Sequence, residues 1–249
     1  MKNKLVNILW TGGLDSSFRV IELSQMEVTI QPYYIVDPVR KSLKYELRAI
    51  KRITDIIRKH SRTKAVLLDL IKITTADILP NVSIANAFNE LHSKYVIGHQ
   101  YELIARYAIQ NNLRFEMSLE KSDRSKAVNC ILSETELVNF QDGEYKVLRL
   151  NSGKSSRESI LIFSNIDFPL SLWQITKKEE IDRLVELGHR DTIKYTWFCH
   201  FPVFGMPCGH CNPCRDSIKE GLAFRVPIKG RLLYYIYKPF YFIKCRLHL

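Results

Sequence analysis

Near the start of the chain an apolar stretch, Leu5 to Trp10, runs straight into Thr11-Gly-Gly-Leu-Asp-Ser-Ser17. Helix-like spacing follows, with Phe18, Ile21 and Leu23 as the apolar set of a segment from Asp15 to Gln25. Few architectures tolerate a buried strand that ends on two glycines and turns at once into a helix. The glycines let the backbone turn tightly and aim several N–H groups at one point, and the helix adds the positive end of its dipole. Thr11, Ser16 and Ser17 can add hydroxyl donors. Asp15 is out of place in a pure phosphate cradle unless a magnesium ion lies between it and the ligand. The alternative is a plain strand-to-helix turn, with glycine for geometry and Asp15 or Ser16 as the helix cap. A Walker-type loop is excluded, because no Gly-Lys-Ser/Thr follows, and the third glycine of a dinucleotide fingerprint is missing.

The same alternation continues. Thr29 to Val36 reads as a strand interrupted by Pro32, and Tyr45 to Lys59 as a helix carrying Leu47, Ile50, Ile53, Ile56 and Ile57. Ala65 to Ile73 reads as a third strand. Helices are expected near Ser83 to Ser93 and from Gln100 to Asn111, and a strand from Arg114 to Leu119. Strand and helix at this pitch predict βαβ units and a parallel sheet covered on both faces. Farther on, Val138 to Leu150 reads as a hairpin turning at Asp142-Gly143. Gly153 to Ser159 reads as a polar loop, and Glu179 to Leu187 as a helix stopped by Gly188.

With 249 residues, 46% of them hydrophobic, the chain can bury a sizeable core as one large α/β domain or a domain with an appendage. The net charge of +11 implies an anionic partner and says nothing about fold. The first apolar run is too short for a secretory signal, and no run reaches the roughly 18 apolar residues of a spanning helix. A cytoplasmic protein is therefore expected. In that reducing setting, four of its six cysteines crowd together in the pattern C-x8-C-x2-C-x2-C: Cys199, Cys208, Cys211 and Cys214. Four thiolates so spaced suit a closed, structural zinc site, with Gly209 easing the turn between ligands. An iron–sulfur cluster is the rival, and His210 would compete with an already complete ligand set. Cys130 reads as a small buried apolar residue or, alternatively, as a sulfur-transfer thiol.

Together and in this order, the two motifs give the chain its resemblance. Thr11-Gly-Gly-Leu-Asp-Ser16 resembles the SGGxDS loop of the PP-loop ATP pyrophosphatases, with threonine in place of the first serine. With the cysteines, the chain resembles the 7-cyano-7-deazaguanine synthases, the QueC family. Asp167-Phe-Pro-Leu-Ser171, Thr176-Lys177, Glu180-Ile181, Leu187-Gly188 and Thr196-Trp197-Phe-Cys199 follow that family's path into its zinc knuckle. Ala223-Phe224 echoes its closing residues, and Glu46 falls where it carries a glutamate. The resemblance covers about residues 5 to 224 and is weak from about 120 to 165.

The resemblance implies a Rossmann-like, PP-loop (adenine nucleotide alpha hydrolase-like) domain over 1–225, with a zinc knuckle at 196–224 and a basic, aromatic extension at 226–249. It implies ATP, magnesium and zinc as cofactors. The implied reaction is adenylation of a carboxylate, 7-carboxy-7-deazaguanine or a related acid, releasing pyrophosphate and AMP. Ammonia or another amine then gives an amide, nitrile or conjugate. Thr11, Gly12, Gly13, Leu14, Asp15, Ser16 and Ser17 would hold the pyrophosphate, Lys177 would meet the α-phosphate, and Tyr95, His99 and Gln100 would face the substrate. Family members are often dimers, so a homodimer is the implied assembly.

Three departures bear on the substrate. The family's Arg-Asn pair is His99-Gln100 here, and histidine cannot copy arginine's bidentate fork. The family's acidic, cysteine-containing motif has no counterpart that aligns with Glu120, Asp123 and Cys130. The segment 122–166 is longer and more hairpin-like, and Arg215 is the only arginine between Cys214 and Ala223. Two other functions stay open: a PP-loop enzyme that thiolates tRNA through Cys130, and a degenerate regulatory protein that binds a nucleotide or deazaguanine. The extension carries Lys229, Arg231, Lys238, Lys244 and Arg246 among Tyr234, Tyr235, Tyr237, Phe240, Tyr241 and Phe242, with no acidic residue. It suits a membrane surface, nucleic acid, a protein groove, or the domain's own apolar surface, and Cys245 is a candidate for acylation.

Overall fold

The computed structural model describes residues 4–120 and 125–246, with side chains given as far as Lys238. Asp123, the aromatic side chains from Phe240 onward, Lys244 and Cys245 lie outside the described part. An eight-stranded sheet forms the centre, in the order β3-β2-β1-β5-β8-β7-β6, with β4 also on β2. Strands β1 (Lys4–Leu9), β2 (Val28–Ile35), β3 (Val66–Leu67), β4 (Ile71–Ile73), β5 (Phe115–Met117) and β8 (Ile166–Pro169) run parallel. The hairpin β6 (Leu137–Asp142) and β7 (Tyr145–Leu150) joins antiparallel through β7 to β8. The result is a mixed α/β fold with a mostly parallel, Rossmann-like sheet.

Helices cover both faces. On one side α1 (Leu14–Ser24), α2 (Leu43–Lys59) and α8 (Lys177–Glu186) seat Phe18, Ile21, Ile50, Ile53, Ile57 and Leu184 on the sheet. On the other, α3 (Val82–Tyr95), α4 (Gln100–Gln110), α5 (Lys126–Glu134) and α6 (Arg157–Phe163) contribute Phe88, Leu91, Ile104, Ile131 and Phe163. The remaining helices are α7 (Leu170–Gln174), α9 (Asn212–Lys219) and α10 (Ile228–Arg246).

Two expectations change. The stretch Ala65–Ile73 forms two short strands rather than one. Pro32 has no N–H to offer that edge, and β2 pairs with β3 only to Ile30 and with β4 only from Tyr33. In the gap the Gln31 side-chain amide donates to the carbonyls of Asp69 (2.8 Å) and Pro32 (3.2 Å). The second change is at Gly153–Ser159, where the polar loop becomes helix α6 from Arg157, capped by the Ser156 hydroxyl accepting from the Ser159 N–H.

The long middle segment extends the sheet at its far edge. Arg149 on β7 grips Asp167 on β8 through two hydrogen bonds of 2.9 Å, and Arg114 adds a third at 2.9 Å. Such a bidentate fork fixes the hairpin's register. Strand order reverses at β1: β2 and β3 lie to one side, β5 and β8 to the other. A crevice opens at such a switch point, beyond the carboxyl ends of the strands.

Candidate functional site

A cavity of about 640 Å³ occupies that crevice. Its floor is the loop after β1 and the start of α1, and its walls come from Ser118–Glu120 after β5, Gly98 and Gln100 at α4, and Lys177 on α8. The cysteine segment closes it with Trp197, Phe198, His200, Asp216 and Glu220.

Backbone geometry dictates the loop sequence. Gly12 has φ +71°, and a Cβ there would lie 2.8 Å from the Glu46 carbonyl oxygen and 3.1 Å from the Ala49 Cβ. Gly13 caps α1 without a side chain, so nothing of its own covers the N–H groups of the helix's first turn. The hydroxyls of Thr11 and Ser16 meet at 3.2 Å, and Ser16 also donates to the Gly13 carbonyl at 3.5 Å. Ser17 is turned away: fully buried, it accepts from the Trp10 indole at 3.0 Å. The Leu14 side chain lines the cavity from a mostly buried position.

Lys177 joins the loop to α8, where Thr176 and Glu179 form a capping box. Its ammonium contacts Asp15 and lies 3.1 Å from Glu120 and 3.4 Å from Glu180. One half-buried cation thus serves three carboxylates. Burial lowers the Lys177 pKa, with the Glu180 charge opposing the shift. Burial, reinforced by Glu180 and Glu220, pushes the Glu120 carboxyl up to about 7. Glu180 is also raised by burial, and its Oε1 has no hydrogen-bond partner. Arg225 closes the group; its guanidinium lies over the Phe198 ring (4.4 Å) and donates to the Thr196 hydroxyl at 2.7 Å. Burial brings its pKa down to about 10.

The four cysteines lie within 4.8 Å of one another through their sulfurs, all buried, and form the one such cluster among the described residues. A tetrahedron with Zn–S bonds of about 2.3 Å has edges of about 3.8 Å. The Cys199–Cys211 and Cys208–Cys214 separations of 3.9 and 4.0 Å match it. The N–H groups of Cys208 and Cys211 donate to the sulfurs of Cys199 and Cys208, at 3.2 and 3.3 Å, as zinc-bound thiolates require. The site fits a structural zinc ion. It is tied directly to the loop: the Trp197 N–H donates to the Gly12 carbonyl at 2.8 Å, and the Trp197 ring stacks on Tyr45 at 4.5 Å.

Of the three residues expected to face a substrate, Gln100 lines the cavity together with Gly98. Tyr95 does not; its hydroxyl donates to Glu134 at 2.8 Å. His99 stacks on Phe88 at 4.9 Å, approaches Glu102 at 3.2 Å, and projects into solvent. Glu46 is held by Tyr34 and Ser42 (2.6 Å each) and Arg40 (3.2 Å). From the segment 122–166 only Ser125 lines the cavity among the described residues, so the hairpin extends the sheet rather than reshaping the mouth. Cys130 is fully buried, and burial pushes its thiol up to about 12.

Sequence reasoning missed Glu120, Glu180 and Arg225. Glu180 was detectable, because three residues after Lys177 on a helix places it on the same face. Arg225, at the boundary drawn for the extension, brings a guanidinium to the cavity that Arg215 does not reach. No protein-family model matches the chain, and no curated protein matches it.

Proposed function

We propose that the chain is an ATP-dependent, AMP-forming ligase similar to the 7-cyano-7-deazaguanine synthases, acting on 7-carboxy-7-deazaguanine or a related planar acid. The observation that carries this reading is the convergence, on one cavity at the sheet's switch point, of an uncapped helix N-terminus, a glycine turn and Lys177. These are the parts that a polyphosphate needs: backbone donors, room for close approach, and a cation.

In this reading the substrate carboxylate oxygen attacks the α-phosphorus of ATP, the bond to the β-phosphate oxygen breaks, and pyrophosphate leaves. The loop's N–H groups and the Thr11 and Ser16 hydroxyls hold the departing pyrophosphate. Ser17 has no part, because its hydroxyl serves Trp10. Lys177 neutralises the charge developing at the α-phosphate, and Glu180 beneath it fixes its position. The carboxylates of Asp15 and Glu120 are the hard oxygen donors that magnesium takes, and the ion would supply further charge neutralisation at the phosphates. Gln100 and Gly98 offer an amide and a backbone edge to the base. Ammonia or an amine then displaces AMP from the acyl adenylate. A second adenylation of the amide oxygen, followed by loss of AMP and protons, would give the nitrile. Trp197 and Phe198 help exclude water from the acyl adenylate. Closed around zinc, Cys199, Cys208, Cys211 and Cys214 would leave the ion no open position for chemistry and would hold these covering residues in place.

The thiolation reading draws no support from a thiol that is fully buried outside the cavity. The test is release of pyrophosphate and AMP from ATP, with and without 7-carboxy-7-deazaguanine, for wild type and Asp15→Ala. Substrate-dependent release that the variant loses is expected, and mass spectrometry then separates nitrile, amide and conjugate. No release from a folded, zinc-loaded protein with that acid would remove the deazaguanine assignment.

A further inference from the structure

Over its described side chains, residues 228–238, the last helix leaves one face without a partner in the fold. Gly230 and Tyr234 on α10 turn toward the cysteine segment, where the contact is intimate. A Cβ on Gly209 would fall 1.8 Å from the Gly230 carbonyl oxygen, and one on Gly230 would fall 2.8 Å from the Pro207 carbonyl oxygen. Val226 and Tyr234 are buried in the same docking. The start of α10 is therefore fixed on the metal-binding segment and not free to swing.

The opposite face is different. Ile228, Leu232, Tyr235 and Ile236 are 75, 61, 61 and 52% exposed. At 3.6 residues per turn they fall within one arc of about 100°. Lys229 borders that arc on one side and Arg231 and Lys238 on the other. Lys244 and Arg246 follow in the sequence, and no carboxylate occurs anywhere after Glu220. An apolar stripe between two basic borders is the pattern of a helix lying in a lipid interface, its cations reaching the headgroups. Five cations in a 19-residue helix rule out crossing, and among the described residues no helix is long and apolar enough to cross a membrane. Nucleic acid fits less well. Exposed isoleucine and leucine have nothing to stack with on a phosphate backbone, and the cations flank the stripe rather than fill it.

We infer that α10 is a membrane-surface anchor: its exposed face lies on an anionic lipid bilayer, with Ile228, Leu232 and Ile236 in the acyl boundary and the flanking Lys and Arg on headgroup phosphates. Charge complementarity chooses the occupant. An uncharged apolar partner would leave the basic borders unused, while a lipid surface of negative charge satisfies both parts of the face. The inference stands apart from the chemistry of the cavity.

The test is co-sedimentation of the full, zinc-loaded chain with vesicles of phosphatidylcholine alone or with one-third phosphatidylglycerol. Binding to the anionic vesicles and little to the neutral ones is expected. Each interfacial cation contributes about fivefold, so Lys229→Gln/Lys238→Gln should weaken binding by about 25-fold. Leu232→Ser/Ile236→Ser should weaken it at least tenfold, and both positions are exposed, so the melting temperature should hold. Failure to bind anionic vesicles, or unchanged binding by the serine variant, overturns the inference. So does retention of a single-stranded RNA oligonucleotide, insensitive to the serine variant, by a protein that ignores vesicles.

Discussion

Replacing Gly12 with alanine tests whether the loop's shape is set by backbone geometry or by side-chain chemistry. A left-handed backbone costs a non-glycine residue about 1–2 kcal/mol. The new Cβ would also press on a carbonyl oxygen at 2.8 Å and on a Cβ at 3.1 Å, both on α2. Overpacking against a rigid helix adds about 1–3 kcal/mol, and the stiffer unfolded chain returns about 0.4–1 kcal/mol. The net expectation is a loss of about 3 kcal/mol, equivalent to about 6–12 °C in melting temperature for a chain of this size. Gly13→Ala is the control. Its φ of −72° is ordinary, and the nearest atoms its Cβ would meet are the Thr11 hydroxyl at 3.3 Å, the Trp197 carbonyl at 3.7 Å and the Ser16 hydroxyl at 3.9 Å. That variant should lose less than about 1 kcal/mol, yet place a methyl where a phosphate would approach, so ATP turnover should fall while stability holds. Urea titration of both variants, with pyrophosphate release measured alongside, separates the two effects. A Gly12→Ala protein as stable as wild type would refute the reasoning, as would a Gly13→Ala protein equally destabilised.

Three further outcomes follow from the site. Cys211→Ser, or treatment with a strong zinc chelator, should reduce metal content from one ion per chain toward none and lower the melting temperature, read by elemental analysis and calorimetry. Glu120 has its folded pKa raised from 4.5 to about 7, so its contribution to stability is fully present below about 4.5 and is lost as pH rises through about 7. Relative to wild type, Glu120→Gln should therefore gain melting temperature between pH 5 and pH 8, and an unchanged difference would remove the burial argument. Cys130→Ser should keep full catalytic activity, because the thiol lies in the core away from the cavity; complete loss in a folded protein would restore the thiolation reading.

Much of this fold was legible because its signals are local. The strand before Thr11, the glycine turn and the helices through Lys59 need only short-range periodicity, and the hairpin at Asp142-Gly143 needs only turn chemistry. What escaped depends on neighbours distant in sequence. The split of Ala65–Ile73 follows from a proline in a different strand, and β8 is only four residues long, too short to show a period. The cysteine spacing pointed to a metal site, and the sulfurs converge as that spacing predicts. The substrate wall did not follow, since Tyr95 and His99 lie close to Gly98 in sequence, yet Tyr95 packs against the core and bonds Glu134 while His99 turns to solvent. Glu120 and Arg225 reach the cavity from segments 105 residues apart, a separation no window of sequence reveals.

The hydrogen bond from Trp197 to Gly12 ties the cysteine segment to the glycine turn, so a metal held by the one and a ligand held by the other would share one equilibrium. Whatever ligand tightens the glycine turn also steadies the chain that leads into Cys199, and a bound metal steadies the turn in return. Thermodynamic reciprocity then requires the factor by which metal improves ligand affinity to equal the factor by which ligand improves metal affinity. Under the proposed function, stripping a metal from the cysteines would thus weaken the cavity's grip on a nucleotide without any change in the residues that touch it.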